Sequence, residues 1–221
     1  MEKELQNRIL SSIVAIPLSF FFIIKGSFLF TFFIITIFLA TSYEWFMMSK
    51  NKSYHYIGYL FLIFSFYTVY SIRNDFGDDG ENLVFFLFIF LICISTDIGG
   101  YIFGKIFKGP KLIKISPNKT YSGMLGGYIF SFIIIFLLFE YSELLFNTNT
   151  KWLPKVYLHI VIISTVSQIG DIIISYFKRL SKIKDTGKII PGHGGILDRI
   201  DGMIFAFPFA YIVYYLNILE F

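Results

Sequence analysis

Charge is scarce in this chain. Asp, Glu, Lys and Arg make up 15% of its 221 residues, against about 25% in a soluble domain. Cysteine is scarcer still. The single Cys93 sits in an apolar run, which excludes a disulfide framework and a thiolate metal site. Of the three histidines, His55 and His159 stand alone and read as interfacial residues. His193 has polar company but no second His or Cys, which argues against a zinc site. No small-residue cleavage site follows the first apolar stretch, so Lys3 and Arg8 lead into a retained helix rather than a removed signal. No polar segment is longer than about 25 residues, too few to bury a core of its own, and no repeat period stands out.

What is abundant is apolar. The chain is 56% hydrophobic with 29 Phe and a mean hydropathy of +0.69. Seven spans follow, at 9–24, 27–46, 55–72, 83–103, 122–140, 156–176 and 202–219. Each is close to the ~20 residues that cross a ~30 Å hydrocarbon layer at 1.5 Å per residue. The period-two alternation of barrel strands is missing, which leaves the helix as the element that satisfies its own backbone in lipid. The expected fold is therefore all-α: a polytopic integral membrane bundle of about seven transmembrane helices. Residues 1–80 form a unit of three spans, and 81–221 a unit of four spans with two basic loops. Of the 19 basic residues, 15 fall in the N-terminus and in 47–54, 104–121 and 177–201. The other side holds Lys25, Arg73, Lys151 and Lys155 with the acidic loop Asp75, Asp78, Asp79 and Glu81. The positive-inside rule then puts the N-terminus in the cytoplasm and the C-terminus outside.

Polar residues inside the spans are the next signal. Ser164, Ser167, Gln168, Asp171, Ser175 and Lys178 recur at three and four and form a stripe on the sixth span. An intramembrane carboxylate such as Asp171 marks a functional site by default; otherwise it is a structural ion pair or helix–helix hydrogen bond. Asp97, Gly100, Tyr101 and Gly104 share a face of the fourth span. Asp97 there either binds a metal or ligand, or pairs with a basic residue. In Ser116-Pro117-Asn118-Lys119-Thr120-Tyr121-Ser122-Gly123, Lys119 suits phosphate, and Ser116 and Thr120 offer hydroxyls. The bland alternative is a basic loop touching anionic headgroups.

The last cytoplasmic loop is denser. Lys178, Arg179, Lys182, Lys184 and Lys188 crowd positive charge at a membrane boundary, and Pro191-Gly192-His193-Gly194-Gly195 supplies backbone N–H groups for phosphate oxygens. Asp198 and Asp201 share a face if the seventh helix begins there. With Asp171 they make a hard oxygen site suited to Mg²⁺. His193 is open between contacting phosphate, acting as an acid and orienting the loop.

From Ser175 to Asp201 the chain resembles the signature of the phosphatidate cytidylyltransferase (CDP-diacylglycerol synthase) family: S-x-x-K-R, four residues, K-D-x-G, then P-x-H-G-G-x-x-D-R-x-D. The segments from Asp97 to Lys105, from Ser116 to Gly123 and from Ser167 to Asp171 resemble the family too, so the likeness covers about 85–220. The chain is shorter than typical members, which implies an N-terminal helix pair fewer. The resemblance implies CTP and phosphatidic acid as substrates, CDP-diacylglycerol and pyrophosphate as products, and a bacterial inner membrane with the site facing the cytoplasm. It implies Mg²⁺ on Asp171 and Asp198 with Asp201 as a third candidate, and K⁺ as a further candidate ion. Lys178, Arg179, Lys184 and Arg199 would then face phosphates. Ser116, Lys119 and Thr120 would hold the second substrate, with Ser175, His193, Gly194 and Gly195 beside them. Membrane lipid is a partner, nucleic acid is not expected, and a homodimer is allowed. The rivals are a CTP-using polyprenol kinase, a cation transporter built on Asp97 and Asp171, and a lipid-binding scaffold.

Overall fold

The computed structural model describes residues 2–75, 79–113, 116, 119–146, 154–190 and 194–216, and the backbone alone for 2–12, 79, 142–146, 154 and 155. Those residues form α1 (Glu2–Lys25), α2 (Ser27–Ser49), α3 (His55–Asn74), α4 (Asp79–Phe107), α5 (Tyr121–Phe146), α6 (Pro154–Leu180), the short α7 (Leu197–Ile200) and α8 (Met203–Tyr215). Five of them, α2 to α6, contain apolar stretches long enough to cross a membrane. The described apolar parts of the first and last spans are shorter, Ile13–Lys25 and Met203–Tyr215. The chain is thus an all-α integral membrane bundle. Exposed Phe28, Ile35, Leu39, Ile57 and Leu60 give α2 and α3 the outward face expected of helices in lipid.

The first two spans make a tight hairpin. Gly26 turns at φ +63, and Phe22 stacks on Phe33 across the turn at 4.9 Å. Arg73 from α3 closes the end of α1, its Nε donating to the Ile23 carbonyl at 3.0 Å. Ile23, Phe30 and Ile72 then share one core with Phe86, Ile89, Ile160 and Phe207. The first three helices are thus packed in one core with α4, α6 and α8.

α4 and α5 lie backbone to backbone. A Cβ on Gly99 would stand 2.4 Å from the Gly126 carbonyl, and one on Gly123 would stand 2.7 Å from that of Gly100. Small residues allow that approach where lipid gives no hydrophobic drive to pack. α6 joins the pair through hydroxyls: Thr96 Oγ1 donates to Ser164 Oγ at 2.8 Å and shares a hydrogen bond with Ser131 Oγ at 3.0 Å. The upper part of the polar stripe on α6 is thus helix-to-helix glue. His159 is buried inside the bundle rather than placed at its surface, which corrects the interfacial reading.

Candidate active site

The basic connections after α2, α4 and α6 meet at one end of the bundle. Between α4 and α5 the chain doubles back, with the Leu112 N–H donating to the Lys119 carbonyl at 2.8 Å. This aims Lys119 at α6, where its Nζ lies 2.5 Å from Asp171 Oδ2 and 3.5 Å from the Gln168 carbonyl. Ser116 closes the turn by accepting the Lys119 N–H at 3.0 Å. Thr120 is occupied otherwise. Its Oγ1 accepts the Gly123 N–H at 3.1 Å and so caps α5.

Two glycines bring Asp171 and Asp201 together. A Cβ on Gly170 would lie 3.0 Å from the Asp201 carbonyl, and one on Gly202 would lie 2.3 Å from Ser167 Oγ. α6 and the start of α8 therefore cross at Gly170 and Gly202, which sets the neighbouring aspartates side by side, within hydrogen-bonding reach when one carries a proton. Ser175 Oγ donates to Asp171 Oδ1 at 3.3 Å. Asp201 is buried, and its Oδ1 accepts the Gly202 N–H at 2.9 Å. Asp97 stays exposed on α4 yet within electrostatic reach of Asp171, Lys119 and Arg199.

Asp198 does something else. Oδ1 accepts Lys178 Nζ at 2.8 Å, while Oδ2 accepts the N–H groups of Thr186 at 2.8 Å and Gly195 at 3.0 Å. Burial pushes its carboxyl up, but Lys178 and the two backbone N–H groups outweigh this and hold it below the ordinary carboxylate range. Both oxygens are taken, so Asp198 organises the loop here instead of facing Asp171 as an open ligand. The loop leaves α6 through Lys182 in the left-handed region at φ +58, closed by an Ile183 N–H to Lys178 carbonyl bond at 3.0 Å. It returns through Gly194 at φ +88. Arg179, Lys184 and Arg199 are exposed around it. His193, with Pro191 and Gly192, lies outside the described residues, as do Pro117 and Asn118.

One participant escaped the sequence reading. Glu44 on α2 is buried, and its carboxylate accepts from Thr186 Oγ1 at 2.9 Å, the Ile196 N–H at 2.9 Å and the Leu197 N–H at 2.8 Å. The signal was there: a lone carboxylate inside an apolar span, the same cue that singles out Asp97 and Asp171.

Among the described residues no three ligating side chains stand close enough to hold a metal ready-made. Asp171 and Asp201 nevertheless fit Mg²⁺. Two carboxylates in mutual hydrogen-bond range cannot both carry charge without a proton or cation between them. Mg²⁺ commonly takes one or two carboxylates and completes its shell with water and phosphate oxygens. Paired carboxylates with exposed cations are the donor set that a metal-bound polyphosphate would need.

Residues 74–217 match the cytidylyltransferase family. The chain belongs to that family. It is 38% identical over 188 residues to a protein of Staphylococcus haemolyticus named phosphatidate cytidylyltransferase, and equally so to one of Staphylococcus aureus strain COL. A Staphylococcus epidermidis protein of that name is 37% identical over the same length. Each match takes in 80% of this cytidylyltransferase-family chain and 65% of the relative.

Proposed function

We propose that the chain transfers CMP from CTP to phosphatidic acid, forming CDP-diacylglycerol and releasing pyrophosphate. The observation that carries this reading is the convergence of Lys119, Asp171 and Asp201 from three segments at the basic end of the bundle, under a rim of Arg179, Lys184 and Arg199. The family and the names of the bacterial relatives support the same chemistry.

In this reading a phosphate oxygen of phosphatidate attacks the α-phosphorus of CTP. The new P–O bond forms as the bond to the β-phosphate oxygen breaks, and the electron pair leaves with pyrophosphate. The nucleophile is already an anion, so no strong base is needed, and the barrier lies in bringing polyanions together in line. Arg179, Lys184 and Arg199 draw the phosphates in and offset their charge. Lys119 holds one phosphate, with Ser116 and Thr120 shaping its loop. Asp171 and Asp201 would hold Mg²⁺, which would offset the charge of the CTP phosphates and of the departing pyrophosphate. Asp198 keeps Lys178 and the glycine turn in register. The charge distribution supports a site on the cytoplasmic side of a bacterial plasma membrane. No residue is assigned to K⁺.

The test uses purified protein, phosphatidate, Mg²⁺ and CTP labelled at the α-phosphate. Label is expected in lipid, and EDTA should abolish the transfer. Folded protein that moves only γ-label, or none, would overturn the reading.

A further inference from the structure

The loop that carries the exposed Lys184 and Arg199 is gripped from both sides by carboxylates. Asp198 lies within it. The other, Glu44, belongs to α2, outside the matched residues 74–217. We propose that Glu44 is a positioning residue that fixes the two described arms of this loop, 184–190 and 194–199, in their working shape, making α2 part of the reaction machinery. The kinetic half of this proposal rests on the cytidylyl-transfer reading; the structural half rests on geometry alone.

Three features argue for positioning over incidental packing. First, the contacts are complete and specific. Oε1 takes the Ile196 N–H, Oε2 takes the Leu197 N–H and the Thr186 hydroxyl, and the side chain is 1% exposed. A buried carboxylate is costly unless so satisfied, and the donors come from both arms of the loop.

Second, the loop leaves room for it. A Cβ on Gly187 would stand 2.5 Å from Oε1, and one on Gly195 would stand 2.5 Å from Oε2 and 2.1 Å from Thr186 Oγ1. Two glycines of the signature are thus spaces for Glu44. Third, the grip meets Asp198 at the same residues. Thr186 gives its N–H to Asp198 and its hydroxyl to Glu44, and residues 195 to 197 donate to one carboxylate and then the other. The end of α2 is itself anchored to the start of the loop, through Ser181 Oγ donating to the Met48 carbonyl at 2.7 Å and Trp45 against Phe177 at 5.5 Å.

The full chain would be prepared as wild type, Glu44→Ala, Glu44→Gln and Thr186→Val. Each would be assayed for kcat and KM with CTP and for hydrogen exchange of peptides from 184–200 and from α4. For Glu44→Ala we expect kcat per folded enzyme to fall about 10- to 100-fold, the usual effect of removing a residue that orients site groups. Exchange should quicken in 184–200 and not in α4. Glu44→Gln should fall between, because one amide oxygen cannot serve two N–H groups that sit on opposite carboxylate oxygens. Thr186→Val should lose less again. Wild-type kcat, KM and loop exchange in Glu44→Ala would overturn the proposal, as would quickened exchange with unchanged turnover. If Glu44→Ala does not fold, wild-type turnover in Glu44→Gln overturns it. Failure of the wild type to transfer CMP sinks the cytidylyl-transfer reading instead, and loop exchange still decides whether Glu44 holds the loop.

Discussion

Lys178 and Lys119 each give one positive charge to one aspartate, and they differ in what their removal leaves behind. The Lys178–Asp198 pair is nearly enclosed, with side chains 11% and 6% exposed. Lys178→Met strands a buried carboxylate, at a cost of roughly 3 kcal/mol, eased by the two N–H groups that stay on Asp198. A lowered melting temperature in detergent would register it. The Lys119–Asp171 pair is more open, at 21% and 28%, and such pairs contribute about 1 kcal/mol or less. Lys119→Met should melt close to wild type and lose activity, read as a raised KM or lowered kcat. Asp171→Ala and Asp201→Ala should each abolish transfer, while Asp198→Asn should lose stability and activity together. Full turnover in Asp171→Ala or Asp201→Ala would remove them as metal ligands. Asp171 stood out in the sequence because charge inside an apolar span is expensive and therefore informative, whereas nothing in the spacing said that Lys119 would reach it. Glu44 was passed over as part of a long apolar run. Asp198 was legible as important but not as a loop organiser, since side-chain type does not say which donors fold back onto it.

At the scale of elements, glycine spacing decides which helices touch. α4 and α5 meet through Gly99, Gly100, Gly123 and Gly126, and α6 meets α8 at Gly170 and Gly202. Gly99→Val should cost about 1–3 kcal/mol by forcing the pair apart, seen as a lower melting temperature. Gly202→Ala pushes directly on Ser167 and would separate Asp171 from Asp201, so its activity should fall further than its stability. Helix identity followed from hydropathy alone. Helix ends did not. α4 runs from Asp79 to Phe107 and past the apolar stretch at both ends, because a helix bonds its own backbone beyond the hydrocarbon as well as within it, and Glu81 and Lys105 there are exposed. The break between α7 and α8 was equally unreadable, and Thr120, a candidate phosphate ligand by type, caps α5, as hydroxyls before a helix usually do.

At the scale of the whole molecule, the basic loops and the carboxylates share one end, and Lys25 lies at the other. In a Cys93→Ala background, Lys52→Cys, Lys108→Cys and Lys182→Cys should resist a membrane-impermeant maleimide until the cells are opened, whereas Lys25→Cys should react from outside. The reverse pattern would invert the topology. Asp97 adds a further consequence. It is exposed on the flank of α4 beside Ile98 at 44% and Tyr101 at 68% exposure, so a charged floor abuts a greasy outer wall. In the proposed reaction a lipid phosphate would reach those charges while its tails stay in hydrocarbon. Drawing a single sixteen-carbon chain into water would cost on the order of 12 kcal/mol at about 0.8 kcal/mol per methylene, about nine powers of ten in occupancy. For the proposed reaction, an enzyme in water would have to recover that sum before any chemistry began, and a site set in this wall would not.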